Sequence, residues 1–262
     1  MMHVELVVKF IFEMIYNWAS GANSSIISTV DNSVRQIQIV GETNPIANVT
    51  NTNPKNSTGT KNNYPPSHYY GSQKNDYLQG DSASENFWGY QGDDHIYAGG
   101  GDDWIHGGDD WDYVLFSNAG NKVNLNKRGW QKTGDGLDKL VSIEGIDGGG
   151  GDDWLIAHNK IDSDLVGGAG NDWLTAGKKG NDYMWGGKGI DVFEPKKGGG
   201  YSSINDYEKK DWIYINGSFR KVSVDTSGKD LLIYQGNDLI AEVAGMGRSD
   251  LLHDGGKWWY IE

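Results

Sequence analysis

The chain has no cysteine, so neither a disulfide framework nor a thiolate zinc centre can hold it together, and any staple must use oxygen ligands. It is also short of apolar residues: they make up 37% of 262 residues, which argues against a large conventional core. Cationic residues are in deficit, with 23 Lys and Arg against 36 Asp and Glu, giving a formal net charge of -13. Neutralising phosphates takes clustered Lys and Arg. Here they are scattered, and nucleic acid is excluded as a partner.

Long hydrophobic runs are missing too, and none reaches membrane-spanning length. The nearest is the N-terminal "MMHVELVVKFIFEMIYNWASGA", which Glu5, Lys9 and Glu13 interrupt, unlike the continuous apolar stretch of a secretory signal. Val4, Val7, Ile11, Met14 and Trp18 follow helical spacing, so residues 1–22 are expected to form an amphipathic helix that packs on the rest of the protein or on a partner. Residues 23–69 are rich in Asn, Thr, Ser and Pro, with little apolar periodicity, and are expected to be a linker.

Glycine and aspartate are what the chain has in abundance, as in "AGGGDDWIHGGDDWDYVLF" at 98–116. Asp76, Glu85, Asp94, Asp103 and Asp112 recur every nine residues, and each is followed two places later by an apolar residue: Leu78, Phe87, Ile96, Ile105 and Val114. A second block runs through Asp153, Ser163, Asp172, Asp182 and Asp191, followed by Leu155, Leu165, Leu174, Met184 and Phe193, with steps that alternate between ten and nine. A fixed period of this kind marks a repeat architecture. The unit reads Gly-Gly-x-Gly-x-Asp-x-apolar-x, as in "GGAGNDWLT" and "GGKGIDVFE". Its glycines suit a turn with backbone angles other residues resist, its Asp offers a carboxylate to a cation, and its last three residues form a short strand with only the middle one facing inward.

On these residues, residues 71–194 resemble the RTX, or haemolysin-type, calcium-binding repeat proteins, whose nonapeptide builds a parallel β-helix. The resemblance implies an all-β parallel β-roll in two repeat blocks, 70–116 and 148–194, with inserted strands at 117–147 and a β-rich C-terminal cap over 195–262. Two nonapeptides would make one coil, with calcium held between successive turns on the same side. That pairs Asp76 with Asp94, Asp94 with Asp112, Glu85 with Asp103, Asp153 with Asp172, Asp172 with Asp191, and Ser163 with Asp182. Glu85 and Ser163 depart from the family's Asp. Backbone carbonyls of the glycine turns would complete the shell, from Gly99, Gly101, Gly108, Gly149, Gly151, Gly168, Gly170, Gly180, Gly187 and Gly189. Several calcium ions are the implied cofactors. The family's mode of export implies an extracellular protein that passes unfolded through a type I channel with an uncleaved C-terminal signal, to which "KWWYIE" could belong.

Aromatic residues are numerous, with 11 Trp and 14 Tyr. In the repeat frame Trp104, Trp154, Trp173, Tyr113 and Tyr183 precede the inward residue, so they are expected to project outward, as are Trp88 and Trp185 just after it. This face either stacks on sugar rings or a surface protein through Trp104, Trp154 and Trp173, or is covered by other parts of the protein. Enzymatic motifs are wanting. "GDSAS" at 80–84 places Ser82 inside the repeat register with no partner His block, and neither HExxH nor G-x-S-x-G occurs. The expectation is a non-enzymatic, calcium-folded structural or adhesive module, with a carbohydrate- or partner-binding module as the alternative.

Overall fold

The computed structural model describes residues 66–216, 222–245 and 258–259. The expected N-terminal helix at 1–22 and most of the linker lie outside the described residues, which contain no helix. None of the described residues belongs to a helix long and apolar enough to cross a membrane.

The described chain is a succession of short strands. The first block runs β1 (Ser67–Tyr70), β2 (Tyr77–Gln79), β3 (Glu85–Tyr90), β4 (His95–Tyr97), β5 (Trp104–Gly108) and β6 (Tyr113–Leu115). The interval that follows carries β7 (Lys122–Asn124), β8 (Gln131–Lys132), β9 (Leu137–Val141) and β10 (Gly145–Asp147). Next come β11 (Trp154–Ile156), β12 (Ser163–Ala169), β13 (Trp173–Thr175), β14 (Asp182–Lys188) and β15 (Val192–Glu194). The remainder is β16 (Ser202–Ile204), β17 (Trp212–Tyr214), β18 (Val222–Ser227), β19 (Asp230–Gln235), β20 (Asp238–Val243) and β21 (Trp258–Trp259).

Nearly half of the described strands are three residues long, and those of the repeats wind as a parallel β-roll. Strands alternate between two sides, so that each stacks on the strand one full coil earlier: Phe87 pairs with Ile105 and Ile96 with Val114, then Leu155 with Leu174 and Leu165 with Met184. The coil is 18 residues in the first block and 19 in the second, which is why the sequence period shifts from nine to alternating ten and nine. Every apolar residue of the double register, from Leu78 to Phe193, is buried with at most 1% of its surface exposed. The core is therefore narrow, with one file of these side chains from each side of the roll. Burying one such Leu contributes about 1.5–3 kcal/mol, a modest sum against the entropy of ordering so many turn residues.

One side is a continuous ten-stranded sheet, in the order β18-β19-β20-β16-β14-β12-β10-β6-β4-β2. The other side is made of two sheets, β1-β3-β5-β9-β8 and β7-β11-β13-β15-β17-β21. The seam between them falls in the 117–147 interval. There β9 completes the first sheet by pairing Leu140 with Ile105, and β7 opens the second by pairing Val123 with Leu155. Meanwhile β10 pairs with β6 on the opposite side, Ile146 against Val114, so the ten-stranded sheet passes through without a break. The inserted residues thus form one enlarged coil inside a single roll. "SINDYEKKDWIYI" supplies β16 and β17, which extend the parallel stack, and the antiparallel β18-β19-β20 meander closes the long sheet. Strand β21, within "KWWYIE", pairs parallel with β17.

Candidate metal centres in the glycine turns

The turn before each strand places the Asp of the repeat at the strand's entrance, and the coil stacks equivalent turns. The Asp76 N–H donates to Asp94 Oδ1 at 2.8 Å, Glu85 N–H to Asp103 Oδ1 at 2.8 Å, and Asp94 N–H to Asp112 Oδ1 at 2.9 Å. In the second block Asp153 N–H donates to Asp172 Oδ1 at 2.8 Å and Asp172 N–H to Asp191 Oδ1 at 2.9 Å. The sixth pair, Ser163 with Asp182, is in register, and Asp182 Oδ2 also accepts the Gly177 N–H at 2.7 Å. All six pairs expected from the sequence are therefore brought together.

Apart from Asp76 and Glu85, each carboxylate of these pairs spends only one oxygen on a backbone N–H. The other is buried with no hydrogen-bond partner: Oδ2 of Asp94, Asp103, Asp112, Asp153, Asp172 and Asp191, Oδ1 of Asp182, and both oxygens of Glu85. An unpaired buried carboxylate oxygen is costly, and a row of them along a roll implies a missing positive partner. The glycines show where that partner fits. A Cβ on Gly89 would overlap Asp94 Oδ2 and the Gly107 carbonyl, and one on Gly148 would overlap Asp153 Oδ2 and lie 2.8 Å from the Gly167 carbonyl. The same cradle recurs at Gly167 with Asp172 Oδ2 and the Gly186 carbonyl. Glu85, despite its length, also points inward, with Oε2 2.7 Å from a Cβ on Gly80.

The electrostatics agree with the geometry. Burial, as the main cause, raises Glu85 to about 9, Asp103 and Asp153 to about 8, and Asp94, Asp112, Asp172 and Asp182 to about 7. Asp191 rises to about 6 from the same cause. Neighbouring carboxylates add to the rise, Asp103 beside Glu85 and Asp172 beside Asp153, while the backbone N–H bonds oppose it. Among the described residues no group of three or more His, Asp or Glu side chains could hold a metal ion by themselves. Any ion here must draw on main-chain carbonyls, as a hard cation with about 6 to 8 oxygen ligands can. Two carboxylates and the converging glycine carbonyls of adjacent turns fit calcium.

The expected glycines lie in these turns. Gly99, Gly101, Gly108, Gly149, Gly151, Gly168, Gly170, Gly187 and Gly189 have φ between +80° and +147°. Gly180 lies outside that region, but a Cβ there would overlap the Ile161 carbonyl. Asp76 differs from its successors: its Oδ2 accepts the Ser72 N–H at 2.5 Å. Asp206 and Asp211 act as caps, Asp206 accepting the N–H groups of Gly186 and Gly187, and Asp211 those of Asp191 and Glu208.

Three members of the ladder were not anticipated from the sequence. Asp138 Oδ1 accepts the Asp103 N–H at 3.0 Å, Glu144 Oε2 accepts the Asp112 N–H at 3.1 Å, and Asn121 stands below Asp153. Asp138 lies in "TGDGLDKLV", which is the repeat with Thr133 for its first glycine. That match was available as a signal, hidden because the step from Asp103 is 35 residues. Thr133 Oγ1 donates to Asp138 Oδ2, so this carboxylate has no oxygen left over.

The outward aromatic residues form ladders of their own. Trp154 is 44% exposed, with its ring 6.3 Å from that of Trp173 and Lys122 Nζ 3.9 Å above it. Trp173 also meets Tyr214 at 5.3 Å, and Trp104 lies under Lys139 and against Trp88. Tyr183 is 40% exposed, beside Trp185. Tyr113 instead lies across Gly145 to donate to Asp164. A shallow groove of about 320 Å³ is lined by Asp152, Asp153, Trp154, Asn171 and Trp173. Ser82 is exposed in a turn.

The profile of the RTX calcium-binding nonapeptide repeat matches residues 88–121 and 162–193, in four copies. No curated protein sequence matches the chain. Among solved structures the chain is similar to the extracellular lipase LipA from Serratia marcescens, at 15% identity and a TM-score of 0.25, over 75% of this chain and 39% of that one. The chain thus spans well under half the length of that lipase. On the repeat signature and the stacked turns that embody it, this is a protein carrying RTX calcium-binding nonapeptide repeats.

Proposed function

We propose that the protein is a secreted β-roll that folds on binding calcium at the stacked turns and serves as a non-enzymatic structural or adhesive module. The observation that carries this reading is the series of buried carboxylate oxygens without partners, which at Asp94, Asp153 and Asp172 border a glycine carbonyl of the adjoining turn. The sites are Asp94 with Asp112, Glu85 with Asp103, Asp153 with Asp172, Asp172 with Asp191, and Ser163 with Asp182, each completed by turn carbonyls. Calcium bound there would supply the positive charge these oxygens lack.

The residues of the chain do the rest. The Oδ1 to N–H bonds orient each carboxylate in the folded roll, and the glycines keep the cradle free of side chains. The narrow core sets the spacing of the coils. Without the ion the like charges repel and the small core must offset both repulsion and chain entropy, so folding and binding are one equilibrium. Such a chain would stay loosely ordered at low cytosolic calcium, pass through a type I channel, and fold outside.

A second reading, carbohydrate or partner recognition, is favoured by one feature: the groove with Trp154 and Trp173 on its wall and Asp152 and Asn171 at its polar edge. The two readings separate in one experiment on the folded, calcium-loaded chain. Calcium-dependent self-association with an empty glycan array supports the structural role. Glycan binding that disappears in the Trp154→Ala, Trp173→Ala variant supports recognition.

A further inference from the structure

The turn that opens the second short sheet departs from its neighbours in chemistry while keeping their geometry. Asn121 occupies the aspartate position of the ladder: Lys122 pairs with Trp154, and Trp154 with Trp173, so Asn121, Asp153 and Asp172 are register equivalents. Like its successors, Asn121 donates its N–H to the next carboxylate, Asp153 Oδ1, at 2.6 Å. Like them it is buried, at 2% exposed; unlike them, its side chain has no polar atom without a partner.

Its Nδ2 donates to Ala119 O at 2.6 Å, to Gly148 O at 3.0 Å and to Asp153 Oδ1 at 3.1 Å. Its Oδ1 accepts the Gly134 N–H at 3.0 Å, which fixes the orientation of the amide, because the reverse would set two donors face to face and an oxygen against three oxygens. One coil further on, the equivalents of those three acceptors are Gly151 O, Gly167 O and Asp172 Oδ1. At that level Asp153 Oδ2 lies unpartnered, bordering the same space as Gly167 O. The amide nitrogen of Asn121 therefore sits among the oxygens that, in the next coil, surround the place for an ion. The charge of the cage falls with the donor: the upper cage has two carboxylates for a divalent cation, and the Asn121 cage has one, which accepts neutral N–H donors.

We propose that the Asn121 side-chain amide takes the place of a calcium ion in this cage, so that the seam between the two short sheets is closed by the chain itself and needs no metal. This rests on the calcium reading of the neighbouring turns.

Calorimetric calcium titration of the full chain, wild type and Asn121→Asp, tests this. The substitution restores the carboxylate and removes the amide donors, so the variant is expected to bind one more calcium per chain than the wild type. A folded variant with an unchanged number of ions would overturn the proposal. If the wild type binds no calcium, the calcium reading fails instead, and the amide role is read from urea unfolding in chelator. There Asn121→Asp should lose stability as pH rises past the carboxylate range, while Asn121→Ala is weakened equally at all pH. An Asn121→Asp protein as stable as wild type at neutral pH in chelator would show that the amide closes nothing.

Discussion

Asp153 and Asp172 meet through one bond, the Asp153 N–H to Asp172 Oδ1 at 2.8 Å, and each leaves its Oδ2 buried without a partner. The bond orients the carboxylates, and the unpartnered oxygens set what the fold still requires. A neutral network would have used both oxygens, as Asp211 does with the N–H groups of Asp191 and Glu208.

The two roles of Asp172 can be separated by substitution. Asp172→Asn retains an acceptor for the Asp153 N–H and removes the charge. It should need roughly tenfold or more calcium than wild type to reach its folded midpoint, the scale on which even outer ligand partners act. Asp172→Ala also strands a buried N–H, which costs about 1–3 kcal/mol in every condition. Urea unfolding at saturating calcium distinguishes the two; equal calcium midpoints in wild type and Asp172→Asn would count against the site.

Gly148 tests the cradle without disturbing an unusual backbone angle, because its φ lies outside the left-handed region. A Cβ there would enter the space between Asp153 Oδ2 and the Gly167 carbonyl. Gly148→Ala should therefore lower calcium stoichiometry or affinity. Gly129→Ala, where a Cβ meets nothing within 4 Å, should leave the titration unchanged.

Proton linkage has a definite sign. The folded values of Asp94, Asp112, Asp172 and Asp182 rise to about 7, and those of Asp103 and Asp153 to about 8, whereas unfolded Asp titrates near about 3.9. The folded state binds more protons in between, so the metal-free fold is favoured in acid. That advantage is lost as pH rises through the folded values, between about pH 4 and 8. In chelator the β signal in circular dichroism should be greatest in acid and fall over this range, and calcium should flatten the slope. A β signal that climbs with pH in chelator is the contrary result.

The core is thin enough for single residues to matter. Leu174 is fully buried between Leu155 and Phe193 in the stack, and Leu174→Ala should cost about 2–5 kcal/mol by cavity formation. Because folding and binding are coupled, that loss should appear as a higher calcium midpoint with unchanged stoichiometry. Lost stoichiometry would mean that the core and the turns are not separable in this way.

The repeat was legible because its information is local: each nonapeptide carries its own turn, carboxylate and inward residue, so the inward residues from Leu78 to Phe193 could be read directly, whereas the six pairs followed from the family resemblance. The enlarged coil was not, because its pairings span 32 and 35 residues, from Asp112 to Glu144 and Asp103 to Asp138. Nothing in the sequence near Asp103 says that the next turn is "TGDGLDKLV" and not "AGNKVNLN". The continuity of the ten-stranded sheet through Tyr113 and Gly145 was hidden for the same reason, since the glycine there serves the Tyr113 ring lying across it. Asn121 was overlooked because its role depends on atoms from Ala119, Gly148 and Asp153 that only the fold assembles.

The most direct test of the calcium-folded roll is circular dichroism of the full chain, stripped with chelator and titrated with calcium, with magnesium as control. The account predicts little β signal in chelator, a cooperative gain with calcium, reversal on adding chelator, and no comparable response to magnesium. Full β signal in chelator that calcium leaves unchanged would contradict it.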